Sequence, residues 1–139
     1  MTFDLERFVA AQDPVFEDVI AELANGAKTS HWMWFVFPQL AGLGTSAMSQ
    51  RYALSGIEEA EAYLAHPVLG PRLLMAMALV MAARPKSATA ILGPVDAAKL
   101  HSSMTLFAVA AADPEPFVAV IDAFYGGAPD PATVKLLGG

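Results

Sequence analysis

The stretch from Lys28 to Gly44, KTSHWMWFVFPQLAGLG, gathers side chains that could hold a ligand: Lys28, His31, Trp32, Trp34 and Gln39. An indole face accepts a stacked planar ring or a cation. Imidazole, carboxamide and ammonium tips supply directed hydrogen bonds. Two uses fit the same residues. Trp32, Trp34 and Phe37 could wall a pocket, or they could fill a core, as large aromatics more often do.

A second cluster lies in KLHSSMTLF. On a helix, Lys99 neighbours Ser102 and Ser103, and Ser102 lies one turn from Thr105. An ammonium beside hydroxyls suits a hydroxylated or phosphorylated ligand. The plainer reading is a solvated band, although adjacent serines are poor choices for an exposed helix interior. A third cluster is His66-Pro67 followed by Gly70 and Arg72. Free N–H groups at a helix start attract an anion, with Arg72 assisting and His66 serving either the ligand or a cap. The ligand-binding candidates are therefore Lys28, His31, Trp32, Trp34, Gln39, His66, Arg72, Lys99, Ser102 and Ser103. Hydrolysis would need a carboxylate as well; Glu22 and Asp96 are the candidates, and no catalytic residue is assigned.

Several chemistries find no support. His31, His66 and His101 match no helical metal-binding pair. GLGTSAMS lacks the strand that a nucleophile elbow requires. No phosphate-cradling glycine loop or dinucleotide fingerprint occurs, so no cofactor is expected. With no cysteine in the chain, thiol nucleophiles, thiolate zinc sites and disulfides are excluded.

The elements that must position these groups read as helices. Asp13 and Pro14 mark the start of one helix, Gly26 lies past its end, and Leu5 to Ala10 forms a shorter one before it. Ser55 heads a helix with Glu58 completing a capping box. Pro67 opens a helix to about residue 84, Ser87 caps a short one closed by Gly93, and Asp96 caps the segment carrying Lys99. A helix begun by a proline follows in DPEPFVAVIDAFYGG, and Asp130 caps the last. Between them, residues 29 to 50 form an irregular aromatic-rich insert with at most a turn of helix, and QRYALSG is extended. The expectation is one all-α domain spanning residues 1–139, with about seven short helices.

Composition bounds the partners. The chain is 55% hydrophobic and 16% charged, so it folds, and its apolar surface leaves room for a homo-oligomer. A net charge of −6, with Lys and Arg scattered, argues against duplex nucleic acid. The most apolar run, Leu73 to Ala83, falls short of the roughly 20 residues a bilayer needs, so no membrane partner is expected. The N-terminus MTFDLERFVA has early acids and no basic region, unlike a signal peptide, so a cytoplasmic location is expected.

GAKTSHWMWFVFPQLAGLGTS, YLAHPVLGPRL, DAAKLHSSMTLFAVAA and FYGGAPDPATVKLL together resemble a bacterial family termed domain of unknown function 1810, whose members are often auto-labelled calpastatin. The resemblance runs nearly the full length. It implies a single all-helical cytoplasmic domain and fixes no biochemical role. The family pattern falls on the ten ligand-binding candidates and also on Phe35, Pro38, Gly42, Gly44, Ser46, Tyr52, Pro67, Gly70, Met104, Thr105 and Phe107. Phe16 replaces a common tyrosine, and PVDAAKL has alanines where the family often carries another acid. Nothing in these residues supports protease inhibition.

The reading is a small-molecule pocket for a nucleotide-derived or ADP-ribose-like ligand, with glycosidic-bond hydrolysis the first reaction to test. Whether the ligand is turned over is left open. The alternative is a non-enzymatic interaction or structural domain using the aromatic segment as its interface.

Overall fold

The computed structural model describes residues 3–138 and contains ten helices and no strand among them. In chain order they are α1 (Glu6–Gln12), α2 (Phe16–Ala24), α3 (Met33–Val36), α4 (Ala47–Arg51), α5 (Ile57–Ala65), α6 (Leu69–Ala82), α7 (Ala88–Leu92), α8 (Pro94–Ala110), α9 (Glu115–Tyr125) and α10 (Pro131–Leu136). The all-α expectation holds, but the helix count is ten rather than about seven.

The difference arises partly inside the insert, which folds two short helices, α3 and α4. Ser46 caps α4 by accepting from the Ser49 backbone N–H, so the QRY part of QRYALSG ends a helix instead of forming a strand. Leu54 then makes the bridge that ties the insert down: its N–H donates to Gln39 O at 2.9 Å, and its carbonyl accepts from Ala41 N at 2.8 Å.

Three start signals are displaced. Asp13 closes α1, donating its N–H to Val9 O, and α2 begins only at Phe16. Ser55 does not cap α5, whose N-cap is Gly56; instead Glu59 reaches back to accept from Ser55 N at 2.8 Å. Asp96 likewise sits inside the first turn of α8, behind Gly93 and Pro94.

Helix α8 is the axis of the fold and contacts α5, α7, α9 and α10. Every residue from Ser102 to Phe107 is buried, so this helix has no solvent stripe along its middle. An edge-to-face and tilted run of rings crosses the core, Phe8 to Tyr63 at 5.1 Å and Tyr63 to Phe107 at 5.5 Å, linking α1, α5 and α8. Such pairs add to the stabilisation from area burial alone. The buried Tyr63 hydroxyl accepts from Gln12 Nε2 at 3.0 Å, and the same amide donates to Phe35 O at 2.6 Å. That amide satisfies polar groups the core would otherwise strand.

Helices α5 and α6 cross closely at Gly70, where an added Cβ would lie 2.3 Å from Leu64 O. Among the described residues no single helix is long and apolar enough to cross a membrane.

Candidate functional site

A clasp holds the aromatic segment. Glu22 Oε1 accepts from Thr29 N at 2.7 Å, Ser30 N at 3.0 Å and Trp32 Nε1 at 3.0 Å, while Oε2 accepts from Ser30 Oγ. Burial alone would raise this carboxyl, but the donors of Ser30, Thr29 and Trp32 outweigh it and hold the pKa down at about 2. An acceptor so fully used positions a loop rather than moving a proton. Trp32 is thereby pinned in the core, 1% exposed.

From Trp32 the charges alternate outward. Lys28 Nζ lies 5.1 Å from the Trp32 ring centroid and 2.8 Å from Asp96 Oδ2. The other oxygen of Asp96 is 3.8 Å from Lys99 Nζ, which in turn sits 4.9 Å from the Trp34 ring centroid. One carboxylate thus serves two ammonium groups, and each ammonium covers an indole. Lys28 is the tightly held member, with its side chain 7% exposed; Lys99 is the looser one.

Lys99 opens onto a groove of about 460 Å³ between the insert, α8 and α10. Gln39, Gly44 and Ser49 form one wall, and Lys99, His101, Ser102 and Asp130 supply the polar side chains of the other. Gly44 is required by close approach: a Cβ there would stand 2.4 Å from Ser49 Cβ. Leu43, Val95, Ala98 and Ala132 make the apolar floor and rim.

Asp130 joins the C-terminal helix to this groove. Its Oδ2 accepts from Ser102 Oγ at 2.7 Å, Thr133 Oγ1 at 2.6 Å and Thr133 N at 3.3 Å. Its own N–H donates to Thr105 Oγ1 at 2.9 Å. Burial raises the Asp130 pKa, but the donors of Thr133 and Ser102, with the nearby His101, bring it below the ordinary carboxylate value. His101 stacks on Tyr125 at 4.1 Å, and its Nε2 pairs with Ala128 O at 2.6 Å. Ser102, His101 and Asp130 therefore meet without forming a nucleophilic triad. The imidazole does not stand between hydroxyl and carboxylate, so nothing relays the serine proton.

The groove thus unites three of the sequence candidates, Gln39, Lys99 and Ser102, with Trp34 beside them under Lys99. Lys28 lies one ion pair away, behind Asp96. Four candidates stand apart. Ser103 is fully buried and does not line the groove. His31 is exposed on the segment before α3. His66 Nδ1 accepts from Val68 N at 3.1 Å and Leu69 N at 3.3 Å, so it caps the start of α6. Arg72 pairs with Asp13 at 2.9 Å and lies over Phe16, in a groove also lined by Glu17 and Asp18. Those acids oppose an anion there, and that groove shares no residue with the one around Lys99.

Asp130, His101 and Ser49 complete the groove but were not among the candidates. Asp130 carries a sequence signal only as a helix cap; its meeting with Ser102, from a distant helix, leaves no local trace.

A family model described as "Protein of unknown function (DUF1810)" matches residues 2–137. Among solved structures, the chain is similar to the conserved hypothetical protein Rv1873 from Mycobacterium tuberculosis, at 52% identity and a TM-score of 0.96, over 99% of this chain and 98% of that one. No curated protein matches.

Proposed function

The chain belongs to the DUF1810 family, and we propose that the groove between the insert, α8 and α10 binds a small anionic, hydroxylated molecule. A nucleotide-derived or ADP-ribose-like ligand has the matching chemistry. The observation that carries this reading is the placement of Lys99 and Asp130, a loosely paired cation and an ionised carboxylate, on one groove with Gln39, Ser49 and Ser102. Lys99 would take a phosphate. Asp130, whose Oδ1 makes none of the three hydrogen bonds drawn by Oδ2, would accept from a ribose diol. The volume lies within the roughly 300–1,000 Å³ of small-molecule sites.

Binding is better supported than turnover. Glycoside hydrolysis commonly uses two carboxyl groups, one of them protonated to serve the leaving group. Asp130 is the acid on the groove and is held ionised; Glu22 is saturated by its donors and Asp96 by two lysines. Hydrolysis of a glycosidic bond remains the first reaction to assay if binding is found. An interface built on the aromatic segment has less support, because Trp32, Met33, Phe35 and Phe37 are buried.

Calorimetric titration of the full chain with ADP-ribose and with ribose 5-phosphate tests the proposal. Saturable binding of either supports it. Absence of heat from both, at millimolar ligand, rejects it.

A further inference from the structure

Beside the groove lies a narrow crevice of about 10 Å³ lined by Trp34, Phe37, Gln39, Ser49, Tyr52 and Lys99. Gln39, Ser49 and Lys99 line both spaces, so the crevice and the groove are contiguous. A space of that size is about one water probe. It admits no ring while Lys99 stays over Trp34.

Lys99 is built to leave. Its ion pair with Asp96 is 3.8 Å, against 2.8 Å for Lys28, and its side chain is 20% exposed. When Lys99 moves, Asp96 keeps Lys28 as its partner, so no carboxylate is orphaned. Lys28 lacks this freedom, because moving it would leave Asp96 only the 3.8 Å contact with Lys99 and would uncover the buried Trp32. Trp34 is also the half-buried indole of the pair, the one a ligand can reach.

From this geometry we infer that Lys99 is a removable cover, and that the groove's ligand carries an anion and a planar aromatic ring together. The anion draws the Lys99 ammonium off the indole, and the ring stacks on the face it uncovers. This inference rests on the groove being a ligand site and adds which ligands fit it. An anion without a ring would leave Trp34 bare, and a ring without an anion would have to displace the ammonium unaided. Each fragment alone should therefore bind poorly, and among nucleotide-derived ligands the smallest to satisfy both is a nucleoside monophosphate. Sequence-tolerant base stacking on an aromatic side chain is the interaction invoked, and the exchange of one cation partner for another drives the uncovering.

The test compares AMP, adenosine and ribose 5-phosphate on the full chain by calorimetry, with tryptophan fluorescence followed in parallel. AMP should bind at least roughly tenfold more tightly than either fragment, a difference readily measured, and should change the fluorescence. In Trp34→Leu the AMP affinity should fall to that of ribose 5-phosphate for the same variant. Trp34→Phe, which keeps a ring, should retain part of the preference. Equal affinity of AMP and ribose 5-phosphate for the wild type would overturn the inference while leaving the groove a binding site. A preference for AMP that survives in both Trp34 variants would overturn it too, by placing the ring elsewhere. Binding of none of the three would remove the groove reading along with it.

Discussion

The Ser102 hydroxyl donates to Asp130 Oδ2 at 2.7 Å, joining the middle of α8 to the first residue before α10. The contact makes one carboxylate both the cap of the last helix and part of the groove wall. Ser102→Ala deletes a donor to a charged acceptor, which is worth roughly 1.5–3 kcal/mol. Thr133 remains on the same oxygen, so the lower end is expected. Urea unfolding should report that loss, and amide exchange should quicken first in α10. An unchanged midpoint would mean that Ser102 is not what holds the helix.

Glu22 gives a pH signature. Its pKa falls from an ordinary 4.5 to about 2 on folding. A carboxylate depressed in this way stabilises the fold fully above about pH 4.5 and loses that contribution as pH falls towards 2. The stability of the wild type should decline through that window, and Glu22→Gln should flatten the decline. Glu22→Ala should cost about 2–3 kcal/mol at neutral pH, because it leaves the Trp32 N–H without an acceptor. A variant with the wild-type acid profile would show that the clasp does not form.

The two tryptophans should separate sharply. Trp32 is 1% exposed and hydrogen-bonded to Glu22, so Trp32→Ala is expected to cost about 4 kcal/mol by cavity formation. Trp34 is half-buried, and Trp34→Ala should cost about half as much, on the same large-to-small scale. Chemical denaturation of the two variants side by side checks the order. A reversed order would contradict the assignment of Trp32 to the core and Trp34 to the groove edge.

At the α5–α6 crossing, Gly70→Ala meets backbone rather than a flexible tip, with Leu64 O 2.3 Å from the new Cβ. The helices must move apart, at a loss of about 2–3 kcal/mol, near the top of the usual range for overpacking. A fall in melting temperature of several degrees is expected; a rise, as for a simple glycine-to-alanine gain in a helix, would refute the close crossing.

Much of the fold was legible because helix punctuation is local. Ser87, Gly93, Gly126 and Asp130 mark element ends where the structure has them, with Ser87 and Asp130 both accepting from backbone N–H groups. Where two local signals compete, the sequence misleads. Asp13-Pro14 looks like a helix start, yet Asp13 completes α1 through Val9 O.

The site was less legible for a related reason. KLHSSMT reads as a polar band, but Ser102, Ser103 and Thr105 are buried. Ser102 and Thr105 are tolerated there because their hydroxyls reach backbone carbonyls one turn back and the loop around Asp130. That loop is remote in sequence, so no window around Ser102 contains the information. Gln39, Lys99 and Ser102 were candidates by their chemistry alone, and the fold is what brings them to one groove. The separation of Arg72 and His66 was not, since cap and anion site share the same helix-start signature.

The most direct measurement is thermal unfolding of the wild type and of Lys99→Met, each with and without ADP-ribose. Ligand that binds only the folded chain raises its melting temperature, by an amount that grows with the logarithm of ligand concentration over Kd. Lys99→Met alone should stay within a few degrees of the wild type, because Asp96 keeps Lys28. ADP-ribose should raise the wild-type melting temperature with increasing concentration and leave that of Lys99→Met unmoved. An equal rise in both proteins, or none in the wild type, would contradict a groove that takes its anion through Lys99.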